Sequence, residues 1–212
     1  MLAYIVTDFY EPVIIQKFIN SNYFYFTTEE KRKIYNICLT NIDFSSSIIM
    51  VNIITNEFFE FFQENKYVIL DGFVNFKLKE YLKELDSLVD MCVNKFIIER
   101  EYNEFIMLLK DYIQNTPSNT KELHLVYKNE KSVLLDENMN PIEINKNAIP
   151  QQYLSDITFS SNDLNLNAIL TLLPEKLFIH SEQKEDDFIN TLKMIFENRV
   201  EIVNNREKIP QT

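Results

Sequence analysis

From Phe73 to Ile97 the apolar residues recur at steps of three and four: Phe73, Phe76, Tyr81, Leu82, Leu85, Leu88, Val89, Cys92, Val93, Phe96 and Ile97. Leu78 bridges the one longer gap. This is the spacing of an amphipathic helix, with Lys79, Glu80, Lys83, Glu84, Asp86, Asp90 and Lys95 on its polar face. The pattern resumes after Glu99-Arg100-Glu101 with Tyr102, Phe105, Ile106, Leu108, Leu109, Tyr112 and Ile113. No Gly or Pro interrupts the run, yet one helix of that length outgrows a domain this size. The pattern therefore predicts two helices with a bend near Arg100. Asp71-Gly72 supplies the turn ahead of them.

Upstream, Pro12 suits the first turn of a helix running to about Ile19, and Asn20-Ser21-Asn22 breaks it. Tyr23–Phe26 is a short aromatic run that reads either as an extended segment or as a buried connector. Thr27-Thr28-Glu29-Glu30 reads as a capping box opening a helix through Ile34, Ile37 and Cys38. Ile48–Phe62 is apolar on nearly every side. Its β-branched start would suit a strand, but its length and the continuation to Asn65 predict a mostly buried helix. Phe58, Phe59, Phe61 and Phe62 cannot share one helix face, so the helix is enclosed or some of them form an interface.

The composition changes at Asn115–Thr120, which has linker residues. Beyond it Leu123, Leu125 and Tyr127 alternate with His124 and Val126 as a strand. Ser132–Leu135 and Ile142–Ile144, joined by the Asp136–Asn140 turn, complete a predicted three-stranded meander. Gln151–Ile157 suggests a short helix. A helix capped by Asn162 or Asp163 runs to Leu173 and is stopped by Pro174. Leu177–His180 is a compact strand, Glu185–Asn198 an amphipathic helix, and Val200–Val203 a last strand parallel to the one before it. The tail from Asn204 is polar and expected to fray. The fold class expected is α+β: an all-helical amino-terminal domain over residues 1–116, then a small mixed-sheet α/β domain over 117–212.

Charge and composition narrow the function. The chain has 212 residues and a net charge of −11, and no basic patch offsets that charge, so nucleic acid and anionic membranes are disfavoured partners. The densest basic cluster, Lys31-Arg32-Lys33, follows Glu29-Glu30 and reads as a solvated helix face. A single glycine, Gly72, excludes the glycine-rich phosphate loops and the serine nucleophile elbow, which need several. Cys38 and Cys92 fall in apolar patterns and read as buried thiols of a reducing compartment. The amino terminus lacks the features of a signal peptide, and no apolar run approaches the ~20 residues of a membrane span. A soluble cytoplasmic protein is expected, without cofactor or metal, its partner another protein or a second copy of itself.

Two pairs of blocks carry a family resemblance. Gly72-Phe-Val-Asn-Phe-Lys-Leu-Lys-Glu-Tyr-Leu82 is followed by Glu99-Arg-Glu-Tyr-Asn-Glu-Phe-Ile106. Leu173-Pro-Glu-Lys-Leu-Phe-Ile-His180 is followed by Phe196-Glu-Asn-Arg-Val-Glu-Ile202. In order and spacing they resemble the YtxC-like family of sporulation-associated proteins. The resemblance implies a role in endospore formation and supplies no catalytic residues. Members of the family carry further residues ahead of the region matching Met1–Leu70, which implies a shortened member.

Among single residues, His180 stands out because it ends a strand at the edge where open α/β sheets hold their ligands. Ser181 and Glu182 would lie beside it, with Ser160 or Ser161 near. The competing reading is a structural histidine, which is the commoner case. His124 is expected on the face opposite Leu123 and Leu125, half exposed. Zinc held by both histidines and nearby carboxylates lacks any H-x-x-x-H spacing. Asp136 and Glu143 flank a hairpin, but no Glu-x-Lys follows to make a nuclease core. Arg100 and Tyr102 are candidate partner-binding anchors, against a structural reading as a helix junction with Arg100 paired to Glu104. No nucleophile–base pair, metal cluster or phosphate loop emerges, so the sequence points to a non-catalytic interaction module. The alternative is an enzyme or small-ligand binder with its crevice at His180.

Overall fold

The computed structural model describes residues 1–41, 44–128, 131–142, 161–181 and 186–203. The chain forms two compact units, Met1–Glu101 and Tyr102–Thr212. In the first, α1 (Leu2–Ile5) continues through a π-helical turn (Val6–Tyr10) into α2 (Glu11–Asn22). α3 (Thr28–Asn41), α4 (Phe44–Glu64) and α5 (Leu70–Phe76) follow. The predicted helix start at Pro12 is thus the middle of a helical run. Proline has no N–H to give and its ring crowds the carbonyl four residues back, and a wider π turn lies directly ahead of it.

α6 (Lys79–Asn115) is one continuous helix of 37 residues, not two helices bent at Arg100. Two observations account for the difference. The junction residues are good helix formers with no breaker among them. The Arg100 guanidinium is also held in place: it bonds Glu30 at 2.9 Å and lies over the Phe26 and Phe96 rings, 5.9 and 5.8 Å from their centroids. The size argument fails because α6 supplies two cores. Tyr81, Leu85, Val89, Val93 and Phe96 belong to the first, and Ile106 and Ile113 to the second.

Around the amino-terminal part of α6 pack Ile15 and Ile19 of α2, Ile34 and Cys38 of α3, Ile54 and Phe58 of α4, and Phe73 and Val74 of α5. The four phenylalanines of α4 divide as one helix must divide them. Phe58 is buried and stacks on Phe73 with ring centroids 4.1 Å apart, Phe61 meets the same ring edge-on at 5.2 Å, and Phe59 and Phe62 are exposed. The capping box forms: Thr27 N–H donates to Glu30 Oε2 at 2.8 Å and Glu30 N–H donates to Thr27 Oγ1 at 3.3 Å. Cys38 and Cys92, 54 positions apart by their numbers, are both buried free thiols in hydrogen-bonding contact, and burial pushes the Cys38 thiol up. Among the described residues of this unit one carboxylate is buried. Glu11 accepts a 2.8 Å bond from the Tyr81 hydroxyl, and burial raises its pKa against the lowering effect of that bond.

The second unit continues from α6 into β1 (Thr120–Lys128), β2 (Lys131–Leu135), α7 (Ser161–Leu172), β3 (Pro174–Ser181), α8 (Asp187–Phe196), a 3-10 turn (Glu197–Arg199) and β4 (Val200–Val203). The sheet order is β2-β1-β3-β4, with β1 antiparallel to β2 and parallel to β3, and β3 parallel to β4. The fold is α+β with a helical amino-terminal half. The expected third meander strand reduces, among the described residues, to one bridge between Leu135 and Pro141. Glu143 and Ile144, the proposed helix at Gln151–Ile157, and the tail from Asn204 lie outside the described residues.

Strand alternation gives the sheet two unlike faces. Leu123, Leu125, Leu134, Leu177 and Ile179 pack with Ile106 and Ile113 of α6, Ile169 of α7 and Ile189, Leu192, Ile195 and Phe196 of α8. With one glycine in the chain, non-glycine residues take the left-handed turns: Met139, Leu173 and Glu197 have φ of 64°, 40° and 47°. Arg199 ties three segments together, donating to the Ile113 carbonyl near the end of α6 (3.2 Å), the Pro174 carbonyl (3.3 Å) and Ser118 Oγ (3.1 Å).

Replacing Arg199 with Met should therefore destabilise the second unit by about 1.5–3 kcal/mol, the range for hydrogen bonds to a charged group. Urea unfolding followed by amide resonances of that unit checks this. In the first unit, Tyr81→Phe leaves a buried carboxylate without its donor and should cost about 1–3 kcal/mol. Glu11→Gln tests the sign of the buried charge. A carboxyl raised on folding contributes stability below its unfolded pKa and loses it as pH rises through the folded one. The variant should accordingly be more stable than wild type at about pH 7, with the gain gone at about pH 4.

Candidate functional site

The face of the sheet turned away from the helices carries the candidate site. Parallel pairing sets Val126 opposite His180 and His124 opposite Phe178, so the two histidines are diagonal neighbours on adjacent strands. His124 Nδ1 and His180 Nε2 are 3.0 Å apart in a hydrogen bond, one ring donating and the other accepting. The His124 ring also stacks on Phe178, with centroids 4.9 Å apart and planes 16° apart. His180 is 6 % exposed and His124 half-exposed. His180 Nδ1 is buried with no hydrogen-bond partner among the described residues. Burial first, and then the charge of His124, hold the His180 imidazole below the ordinary histidine value.

Among the described residues, the carboxylate that feels His124 is Asp136. It sits one residue past Leu135, the β2 partner of His124. Backbone N–H groups of Asn138 and Asn140 donate to it at 2.9 and 2.8 Å, and these bonds, with the Asn140 side chain and His124 nearby, keep its carboxyl low. Asp136 thus organises the turn. Among the described residues, no group of three or more His, Cys, Asp or Glu is placed to hold a metal ion. The pair offers a neutral donor–acceptor couple on a face shared with Phe178 and Val126.

Ser181 follows His180 but projects to the opposite side of the sheet, opposite Tyr127, and is buried. Its surroundings are the polar upper end of the helix-covered face. There Tyr127 donates to Asp186 at 2.9 Å, and Asp186 caps α8 by accepting from the Phe188 and Ile189 amides. On the same face Asn165 donates to Ser132. Glu182, the third residue of the predicted cluster, lies outside the described residues. His180 and Ser181 are therefore separated by the sheet, and the residue brought to His180 is His124, which sequence reasoning assigned a bland sheet position. Parity alone placed His124 and His180 on faces of their own strands. Only the β1–β3 register makes those faces one.

The two anchors at the middle of α6 are engaged within their own units. Arg100 holds the capping box through Glu30, and the Tyr102 hydroxyl is 3.0 Å from Thr191 Oγ1 of α8. A separate surface groove of about 320 Å³ runs between α2 and α3, bounded by Gln16, Asn20, Lys31, Arg32 and Tyr35 over Ile19.

Residues 1–201 match the model of the YtxC-like family. The chain belongs to that family. One curated relative is the Bacillus subtilis (strain 168) protein described as uncharacterized protein YtxC, 23 % identical over 132 residues. The alignment covers 62 % of this chain and 47 % of the relative, so the chain spans about half of that protein's length. No solved structure matches. In this YtxC-like chain the blocks that carried the resemblance hold Arg100, Tyr102, His180 and Arg199, and each of these is tied into the internal bonding of its unit.

The geometry makes a titration prediction. In chelator-containing buffer the His180 ring should titrate below the ordinary histidine value of about 6.5. In His124→Gln it should move part of the way back, because the like charge is gone while the burial stays. Ring-proton shifts followed against pH measure this, and a wild-type value at or above the ordinary one contradicts the described packing.

Proposed function

We propose that this YtxC-like protein is a non-catalytic interaction module of endospore formation, acting in the cytoplasm. The sporulation assignment is supported by the family resemblance. The interaction assignment is supported by one observation: the helical unit leaves large apolar side chains in water. Tyr67, Ile69 and Phe76 are 85, 78 and 74 % exposed around α5, and Phe59 on α4 and Phe24 and Tyr25 before α3 are exposed as well. Aromatic side chains are what protein interfaces concentrate, and exposed apolar groups in number are a feature of such surfaces. Consistent with a protein partner rather than a bilayer, none of the described helices is long and apolar enough to cross a membrane.

A second reading, a small-ligand site around His180, is favoured by the meeting of two histidines on one sheet face. It requires a ligand that shifts the ring resonances of both His124 and His180.

The interaction reading predicts that Tyr67→Ser combined with Phe76→Ser keeps the wild-type circular dichroism spectrum while abolishing a cross-linked partner or dimer formed by the wild-type chain in sporulating cells. Deleting the gene should lower the yield of heat-resistant spores. A wild-type protein that is strictly monomeric and captures nothing removes the interaction reading, and an undiminished spore yield removes the sporulation one.

A further inference from the structure

The chain has two histidines in 212 residues, and they are hydrogen-bonded to each other across the junction of two parallel strands. We propose that this pair is an acid-sensitive clasp: His180 Nε2–H donates to His124 Nδ1, locking both rings in one tautomer, and proton uptake, which breaks the bond at His124 Nδ1 or leaves an unpartnered buried cation at His180 Nδ1, loosens β1 from β3.

The direction of the bond follows from what His180 can satisfy. If Nε2 accepted, the ring proton would sit on Nδ1, and Nδ1 is buried with no acceptor among the described residues. An orphaned buried N–H is rarer and costlier than an unused lone pair. Nδ1 is therefore the bare nitrogen and Nε2 carries the proton. His124 must then accept at Nδ1, which places its own proton on Nε2. Both rings are neutral, and each is fixed by the other.

This arrangement has no inexpensive place for a second proton. On His180 the only vacant nitrogen is Nδ1, where a proton would make a buried cation with no acceptor. On His124 the only vacant nitrogen is the one receiving the bond, where a proton would set two N–H groups facing each other at the present 3.0 Å. Nor, among the described residues, does the rest of that face offer either ring a hydrogen-bonded counter-charge, Asp136 acting on His124 through space only. By strand register it carries Glu122 and Lys128 on β1, Lys176 on β3 and Glu201 on β4, with Asp136 just past β2. None of these forms an ion pair or hydrogen bond with either ring, and the neighbours directly opposite, Leu135, Val126 and Phe178, are apolar.

The sign follows from linkage. His180 has a folded value below its unfolded one, so the unfolded chain binds more protons in acid. The clasp's contribution is complete above the unfolded value of about 6.5 and is lost as pH falls through the folded value. Most carboxylates titrate lower than this window, and Glu11 in the other unit, raised by burial, has the opposite sign. Acidification therefore weakens the sheet unit while favouring the buried acid of the helical one.

The test uses the full chain labelled with nitrogen-15. At about pH 7.5 the ring-nitrogen shifts should show His180 protonated at Nε2 and His124 at Nε2, with a through-bond coupling between His180 Nε2 and His124 Nδ1. A His180 protonated at Nδ1, or no coupling between the rings, overturns the proposal without any variant. Amide exchange at Leu125 and Ile179, corrected for intrinsic rates, should then lose protection as pH falls from about 7.5 to about 5.5, by up to roughly tenfold for the one pH step below the unfolded value of about 6.5. His180→Gln should flatten that dependence. If that variant does not fold, His124→Phe replaces it and should abolish the coupling and shrink the dependence. Wild-type protection that does not change with pH, or a variant that keeps the full wild-type dependence, overturns the clasp.

Discussion

The buried stripe along α6 is the constraint on which the rest of this structure depends. A helix that shows one apolar row to its neighbours can serve a single core only for a few turns. Here the row persists far enough to serve two. Tyr81, Leu85, Val89, Val93 and Phe96 are removed from water with α2, α3, α4 and α5 around them, and Ile106 and Ile113 with the sheet and α7 and α8. Burying each such side chain is worth about 1.5–3 kcal/mol, so these few residues contribute on the scale of a whole domain's net stability. Arg100 stands at the changeover. Its charge is met by Glu30 and its plane by two aromatic rings, so a polar residue at mid-helix reinforces the helix.

What the sequence shows follows from the range of the interactions involved. Capping at Thr27–Glu30, the parallel pairing of Leu177–His180 with Val200–Val203, and the amphipathic α8 are written in residues near one another, and each is found. The bend at Arg100 was misjudged because the residues that keep it straight, Phe26 and Glu30, are some seventy positions away in sequence. Separations of more than fifty positions likewise hide the contacts Cys38–Cys92 and His124–His180. Each joins the only two residues of its kind in the chain, and neither leaves a local spacing to read. Ser181 shows the converse error. Adjacency in sequence suggested a shared site with His180, whereas strand alternation sends consecutive side chains to opposite faces.

The polar groups enclosed in the two units are few, and their partners differ in kind. Glu11 is met by one neutral hydroxyl, and His180 by one neutral imidazole. Neither has a full counter-charge in contact, so the ionisation state of each is set mainly by desolvation, and because one is an acid and the other a base the two respond oppositely to protons. A fold organised purely for stability would replace such groups with apolar ones at little loss.

The continuity of α6 through Arg100 is the claim most exposed to test. Backbone carbon-13 secondary shifts and amide exchange over residues 97–104 measure it directly. The account predicts helical shifts and protected amides at every one of those positions. Coil-like shifts with rapid exchange at Glu99–Glu101 would contradict it, and would restore two helices where one is described.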